Sequence, residues 1–147
     1  MHRSHILIID DEPVVCDGCR AVLSEKYRVD ACMTGKEGLD AYLEGQYDLA
    51  LLDMKLPDTD GMEVLRIIHQ DKPGAYVIVM TGYSTVKNAV QAMKSGAFDY
   101  LAKPFTDDEL LLAVEKAIEH KHLKEENLAL RNQLYEQFDF SNIIGED

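Results

Sequence analysis

Leu49-Ala50-Leu51-Leu52-Asp53-Met54-Lys55-Leu56-Pro57 is the stretch on which the reading of this chain turns. Four apolar residues end abruptly on a carboxylate, and a proline-containing turn follows. A short, near-continuous apolar run suits a strand buried on both faces of a parallel sheet. Four more runs stand around it. His5-Ile6-Leu7-Ile8-Ile9 ends at Asp10-Asp11, and Ala75-Tyr76-Val77-Ile78-Val79-Met80 ends at Thr81-Gly82. Asp99-Tyr100-Leu101-Ala102 ends at Lys103-Pro104. Residues 27–32 form a shorter, partly alternating run, as an edge or outer strand would.

Helical patterns separate these runs. Pro13 opens one that extends to about residue 25. Thr34 with Glu37 three residues on reads as a capping box, and Leu39 and Leu43 follow. Residues 61–70 carry Met62, Leu65 and Ile68 at helical spacing. Residues 85–95 carry Val86, Ala89, Val90 and Met93 and stop at Gly96. Thr106 with Glu109 starts the last helix. The alternation is (βα)5, which predicts an α/β fold with a doubly wound parallel sheet of five strands.

In such sheets ligands bind beyond the carboxyl ends of the strands. Asp10, Asp11, Asp53, Thr81 and Lys103 stand at those ends. Any one of them alone is an ordinary cap, turn or loop residue; the ordered set is not. Three clustered carboxylates repel, and a hard divalent cation such as Mg2+ relieves them. A carboxylate can also attack a phosphoryl group, with an ammonium and a hydroxyl stabilising the transferring oxygens.

The charge balance, 15 basic against 27 acidic side chains and −12 net, predicts no direct binding of nucleic acid by this segment. A length of 147 residues, 46% hydrophobic and 29% charged, fits one globular domain plus an extension. No apolar run approaches the roughly 20 residues of a membrane span, and the N-terminus does not read as a signal peptide, so a cytoplasmic location without membrane contact is expected. Cys16 and Cys19 have C-x-x-C spacing, but no second ligand pair supports zinc; they are expected one helical turn apart on a buried face.

Asp10-Asp11-Glu12-Pro13, Leu52-Asp53-Met54-Lys55-Leu56-Pro57, Asp60-Gly61, Met80-Thr81-Gly82 and Lys103-Pro104-Phe105 together resemble the receiver domains of response regulators, over roughly residues 4–120. The resemblance implies a flavodoxin-like strand order 2-1-3-4-5. It implies that Asp53 accepts phosphate from a sensor histidine kinase. Asp10 and Asp11 would hold Mg2+ with Asp53 and the backbone carbonyl of Met54. Thr81 and Lys103 would contact the phosphoryl group, and the Lys103-Pro104 bond would be cis. On phosphorylation Thr81 would move and Tyr100 would rotate inward, changing the face built from the fourth helix, fifth strand and fifth helix. Lys55 and Tyr83 would gate the attacking water.

The last helix runs without Gly or Pro to about residue 137. With His120, Asn127 and Leu134 at heptad position a, Leu123, Leu130 and Gln137 fall at d. Glu119 and Glu126 at g would then face Lys124 and Arg131 at e across a parallel pair. The expected organisation is therefore a receiver over residues 1–119, a coiled-coil dimer linker over 120–138 and, over 139–147, the start of a truncated output domain. The stretch Phe138…Ile143-Ile144-Gly145 is similar to the entry of the ATPase domain of sigma-54-dependent activators, of the nitrogen-regulation and dicarboxylate-transport type. That resemblance implies ATPase and DNA-binding domains outside this chain. It also implies a homodimer, formed through the switch face, the linker helix, or both. No P-loop occurs here.

Two other readings compete with this phospho-acceptor switch, which is not a turnover enzyme. A stand-alone receiver of the chemotaxis type would lack the long helix. An aspartyl-phosphate hydrolase of the haloacid dehalogenase type would carry its nucleophile after the first strand and a cap insertion, and neither is present.

Overall fold

In the computed structural model the backbone is described for residues 3–82 and 86–145, and the side chains as far as residue 134. Five strands, β1 (His5–Ile9), β2 (Arg28–Cys32), β3 (Leu49–Asp53), β4 (Val77–Thr81) and β5 (Asp99–Ala102), form one parallel sheet in the order β2-β1-β3-β4-β5. Between them lie α1 (Pro13–Leu23), α2 (Gly35–Glu44), α3 (Gly61–Asp71) and α4 (Val86–Lys94), and α5 (Asp107–Gly145) closes the chain. The flavodoxin-like order and the partly exposed outer strand β2 are as the sequence implied.

Successive strand residues point to opposite faces, so a continuous apolar run serves two cores. Ile6, Ile8, Leu49, Leu51, Ile78 and Met80 pack under α1 and α5 with Cys16, Cys19, Leu110, Val114 and Ile118. Leu7, Ile9, Ala50, Leu52, Val77 and Val79 pack under α2, α3 and α4 with Tyr42, Leu65, Ile68 and Ala92. β4 starts two residues later than its apolar run. Ala75 N–H closes a turn on the Lys72 carbonyl, although the Tyr76 carbonyl already accepts from Ala50 N–H.

Both capping threonines work. Thr34 Oγ1 accepts from Glu37 N–H at 3.1 Å, and at α5 the exchange is reciprocal between Thr106 and Glu109. Gly96 ends α4 with φ +108°, where any Cβ would strike the His69 ring.

α5 runs back across the sheet. It starts beside Lys103 and reaches the opposite edge at His120 and Lys121. His120 Nδ1 shares a 2.7 Å hydrogen bond with the Tyr76 hydroxyl, and Lys121 Nζ lies 3.1 Å from Asp48. Both residues fall in the segment expected to be linker, so the body grips the helix past residue 119. From residue 122 to 134 every side chain is exposed, among them Leu123, Asn127, Leu130 and Leu134. The helical backbone continues to Gly145, past the change of character expected at 138. No helix among the described residues is long and apolar enough to cross a membrane.

Candidate functional site

The five residues expected at the strand ends meet at one edge of the sheet. β1 delivers Asp10, fully buried, and Asp11, exposed; β3 ends on buried Asp53 and β4 on buried Thr81. Lys103 follows β5, and its bond to Pro104 is cis. Its ammonium donates to Asp10 Oδ2 at 2.7 Å, Glu12 Oε1 at 3.2 Å and Asp53 Oδ2 at 3.3 Å. Asp10 Oδ1 accepts from Glu12 N–H at 2.9 Å, so both Asp10 oxygens are engaged. Asp53 Oδ1 accepts from Lys55 N–H at 3.3 Å.

Glu12 belongs to this site, which its place in the sequence did not announce. It precedes α1 at the cap position but makes no side-chain cap; its carboxylate turns to Lys103 instead. Carboxylate oxygens of Asp10, Asp11, Glu12 and Asp53 all lie within 4.8 Å of one another. At that spacing and an effective dielectric near 20, each pair of like charges repels by about 3.5 kcal/mol.

The titration behaviour follows. Burial and then the Asp10 charge raise the Asp53 carboxyl above its ordinary range, against the pull of Lys103 and the Lys55 amide. Burial alone would depress Lys103, but the Asp10 hydrogen bond and charge, with Asp53 and Glu12, outweigh it and hold the ammonium well above its usual value. The Asp10 charge contributes to both shifts, second to burial at Asp53 and against burial at Lys103. Hard oxygen donors so placed suit Mg2+, which binds through one or two carboxylates and keeps waters. Asp11 and Asp53 flank a cavity of about 280 Å³ lined also by Glu12, Lys55, Thr81, Gly82 and Lys103. At roughly 30 Å³ per water, it has room for a hydrated cation and a phosphoryl group.

Two glycine and loop details shape this edge. Met54 O accepts from Gly61 N–H at 2.9 Å, and a Cβ on Gly61 would collide with Asp53 O and Met54 Cα. Only glycine allows that approach. The half-buried Tyr100 phenol shares a hydrogen bond with Thr81; burial raises its pKa and that bond opposes the rise. A second cavity of about 240 Å³ separates the site from α4, between Met54, Lys55, Met62, Thr81, Asn88 and Gln91. Tyr83, expected to gate water, lies outside the described residues.

The two cysteines of α1 are placed as buried apolar groups, Cys16 Sγ donating to the Asp10 carbonyl at 3.3 Å. Cys16 and Cys19 are buried one turn apart on α1, as expected, with thiols pushed up to about 11 and about 12, in each case chiefly by burial. The thiolate needed for nucleophilic or redox work is therefore scarce at neutral pH.

Comparison with known proteins agrees with this geometry. The family model described as the response regulator receiver domain matches residues 6–115. Transcriptional regulatory protein ZraR of Klebsiella oxytoca is 40% identical over 121 residues, which cover 82% of this chain and 27% of that protein. C4-dicarboxylate transport transcriptional regulatory protein DctD of Pseudomonas aeruginosa is 36% identical over 145 residues, covering 97% of this chain and 31% of that protein. The chain thus spans about a third or less of the length of these curated relatives. Among solved structures, a CheY-like response regulator receiver domain from Methanospirillum hungatei superposes with a TM-score of 0.80 at 33% identity, covering 84% of this chain and 99% of that one.

Proposed function

Since the chain belongs to the response regulator receiver domain family, we propose that it is a phosphorylation switch whose acceptor is Asp53 and whose donor is a sensor histidine kinase. The observation that carries this reading is the Lys103 ammonium held between Asp10 and Asp53 beside a cavity that Thr81 also lines. An Asp53 carboxylate oxygen attacks the donor phosphorus; the new O–P bond forms as the bond to the donor nitrogen or oxygen breaks with its electron pair. Lys103 holds a positive charge against the transferring oxygens, and the Thr81 hydroxyl donates a hydrogen bond to one of them. Asp10, Asp11, Asp53 and the Met54 carbonyl would hold Mg2+, with Glu12 beside them. When bound, Mg2+ neutralises charge on the phosphoryl oxygens.

The readout follows from what Thr81 touches. When its hydroxyl turns to the phosphoryl group, the bond with Tyr100 must rearrange, and Tyr100 sits on the strand between α4 and α5. α4 is held by one buried side chain, Ala92, while Val86, Val90 and Met93 are exposed. A face so lightly anchored and so apolar suits a homodimer contact that changes with phosphorylation. The exposed leucines of α5 extend it as a coiled coil into an output unit, by resemblance a sigma-54-dependent ATPase with DNA-binding domains, working in the cytoplasm. The chain acts as a stoichiometric acceptor rather than a turnover enzyme.

Incubation with Mg2+ and acetyl phosphate or beryllofluoride, followed by intact mass and NMR, tests this. One adduct per chain, absent in Asp53→Asn, is expected. Multiple turnover of phosphoesters would favour a hydrolase, and an adduct undiminished in Asp53→Asn would overturn the assignment.

A further inference from the structure

We propose that Asp58 is a positioning residue for the acceptor site, pinning the loop that follows Asp53 onto the start of α2 and so holding Lys55, whose amide bonds the acceptor carboxylate, in place for the metal and the phosphoryl group. The proposal rests on the acceptor reading above.

Residues 54–60 connect Asp53 to α3. Their root is closed by Gly61 N–H on the Met54 carbonyl and by a bridge between Lys55 and Asp60. Their tip is held elsewhere. Asp58 Oδ1 accepts from Gly35 N–H at 2.8 Å and Oδ2 from Lys36 N–H at 2.9 Å. These are the first two amides of α2, groups with no partner inside the helix. Thr34 already supplies the local cap through Glu37 N–H. The two Asp58 bonds are therefore additional and join segments more than twenty residues apart.

The fit at this junction is tight. A Cβ on Gly35 would collide with Thr59 Cγ2 and press on Asp58 Oδ1 and Leu56 Cδ1. The carboxylate also meets the positive end of the α2 dipole. At the root of the same loop, Lys55 N–H bonds the acceptor carboxylate. Released at its tip, the loop keeps its root and the packing of Leu56 but loses its tie to α2, and metal binding must then supply more of the ordering.

Mg2+ titration followed by amide NMR of residues 10–12 and 53–55 tests the proposal in the full chain. Asp58→Ala should raise the Mg2+ Kd about fivefold to tenfold, a fraction of what two backbone hydrogen bonds to a carboxylate contribute, because they act on the metal only through the ordering of the loop. Asp58→Asn keeps one acceptor oxygen and should fall between. Acetyl phosphate labelling of both variants should recover at saturating Mg2+. Thr34→Ala weakens the same helix end without touching the loop, so it should lower Tm and leave the Kd at the parental value. Parental affinity in Asp58→Ala, or equal weakening in Thr34→Ala, would overturn the positioning role alone. A parent chain that takes up no Mg2+ at these residues would overturn the acceptor reading and this proposal together.

Discussion

The Tyr76 hydroxyl and His120 Nδ1 are 2.7 Å apart, and the Phe98 ring completes the cluster with centroids 5.3 and 5.2 Å from theirs. This joins the entry to β4, the entry to β5 and the point where α5 leaves the body. Tyr76→Phe removes one hydroxyl and little packing. We expect a loss of about 1 kcal/mol in urea unfolding, faster amide exchange at residues 117–124, and an unchanged rate of labelling at Asp53. Unchanged exchange in α5 would mean that the hydrogen bond does not hold the helix.

Asp53 gives a pH-dependent stability with a definite sign. Its folded pKa lies above the unfolded value, so its charge costs stability above the folded pKa and the cost disappears as pH falls through it. Asp53→Asn should therefore be more stable than the parent at pH 7 without metal, with the gap closing in acid. Mg2+ should stabilise the parent by about 1.4 kcal/mol at tenfold the Kd. Chemical denaturation at two pH values, with and without Mg2+, decides it.

Asp48 behaves oppositely. Burial would raise its pKa, but His5 N–H and Lys121 outweigh burial and lower it. Its stabilisation is complete above the unfolded value near 4 and fades as pH drops through the lower folded one. A double-mutant cycle of Asp48→Asn with Lys121→Met should give a coupling of up to about 1 kcal/mol at pH 7, since the pair is partly exposed, and a coupling that shrinks as pH falls through the folded value. A pH-independent coupling would refute the ion pair.

Gly61→Ala forces a methyl group against Asp53 O and Met54 Cα. The expected cost is about 1–3 kcal/mol, together with slower labelling at Asp53, because the clash falls on the acceptor itself. Normal stability and normal labelling would show that the loop can yield there.

Sedimentation equilibrium addresses the linker. Residues 1–147 should dimerise through α5, and a chain ending at His122 should be monomeric while keeping the His120 and Lys121 contacts. Substituting Leu123, Leu130 and Leu134 with Gln should have the same effect as truncation. Equal monomeric masses at high concentration would sink the coiled coil.

The site residues were legible because the fold is periodic and local: each follows an apolar run, and parallel strands bring all run ends to one edge. The partition of Ile6 and Leu7 to opposite cores also follows from alternation alone. Asp58, Tyr76 and His120 were not legible. Their partners lie 22 to 44 residues away, and nothing in Leu56-Pro57-Asp58 distinguishes a clamp from a turn. Glu12 was hidden differently. It stands just before Pro13 at the start of α1, and only the position of Lys103 shows where its carboxylate goes.

α5 is a single unbroken helix from beside Lys103 to Gly145. Rotational phase is therefore preserved along it, at about 100° and 1.5 Å per residue. Whatever follows the helix has its azimuth set by the packing of Val114, Ala117 and Ile118 on the sheet. One residue inserted after His122 would swing an attached unit a quarter turn or more, whereas seven would restore its heading about 10 Å farther out.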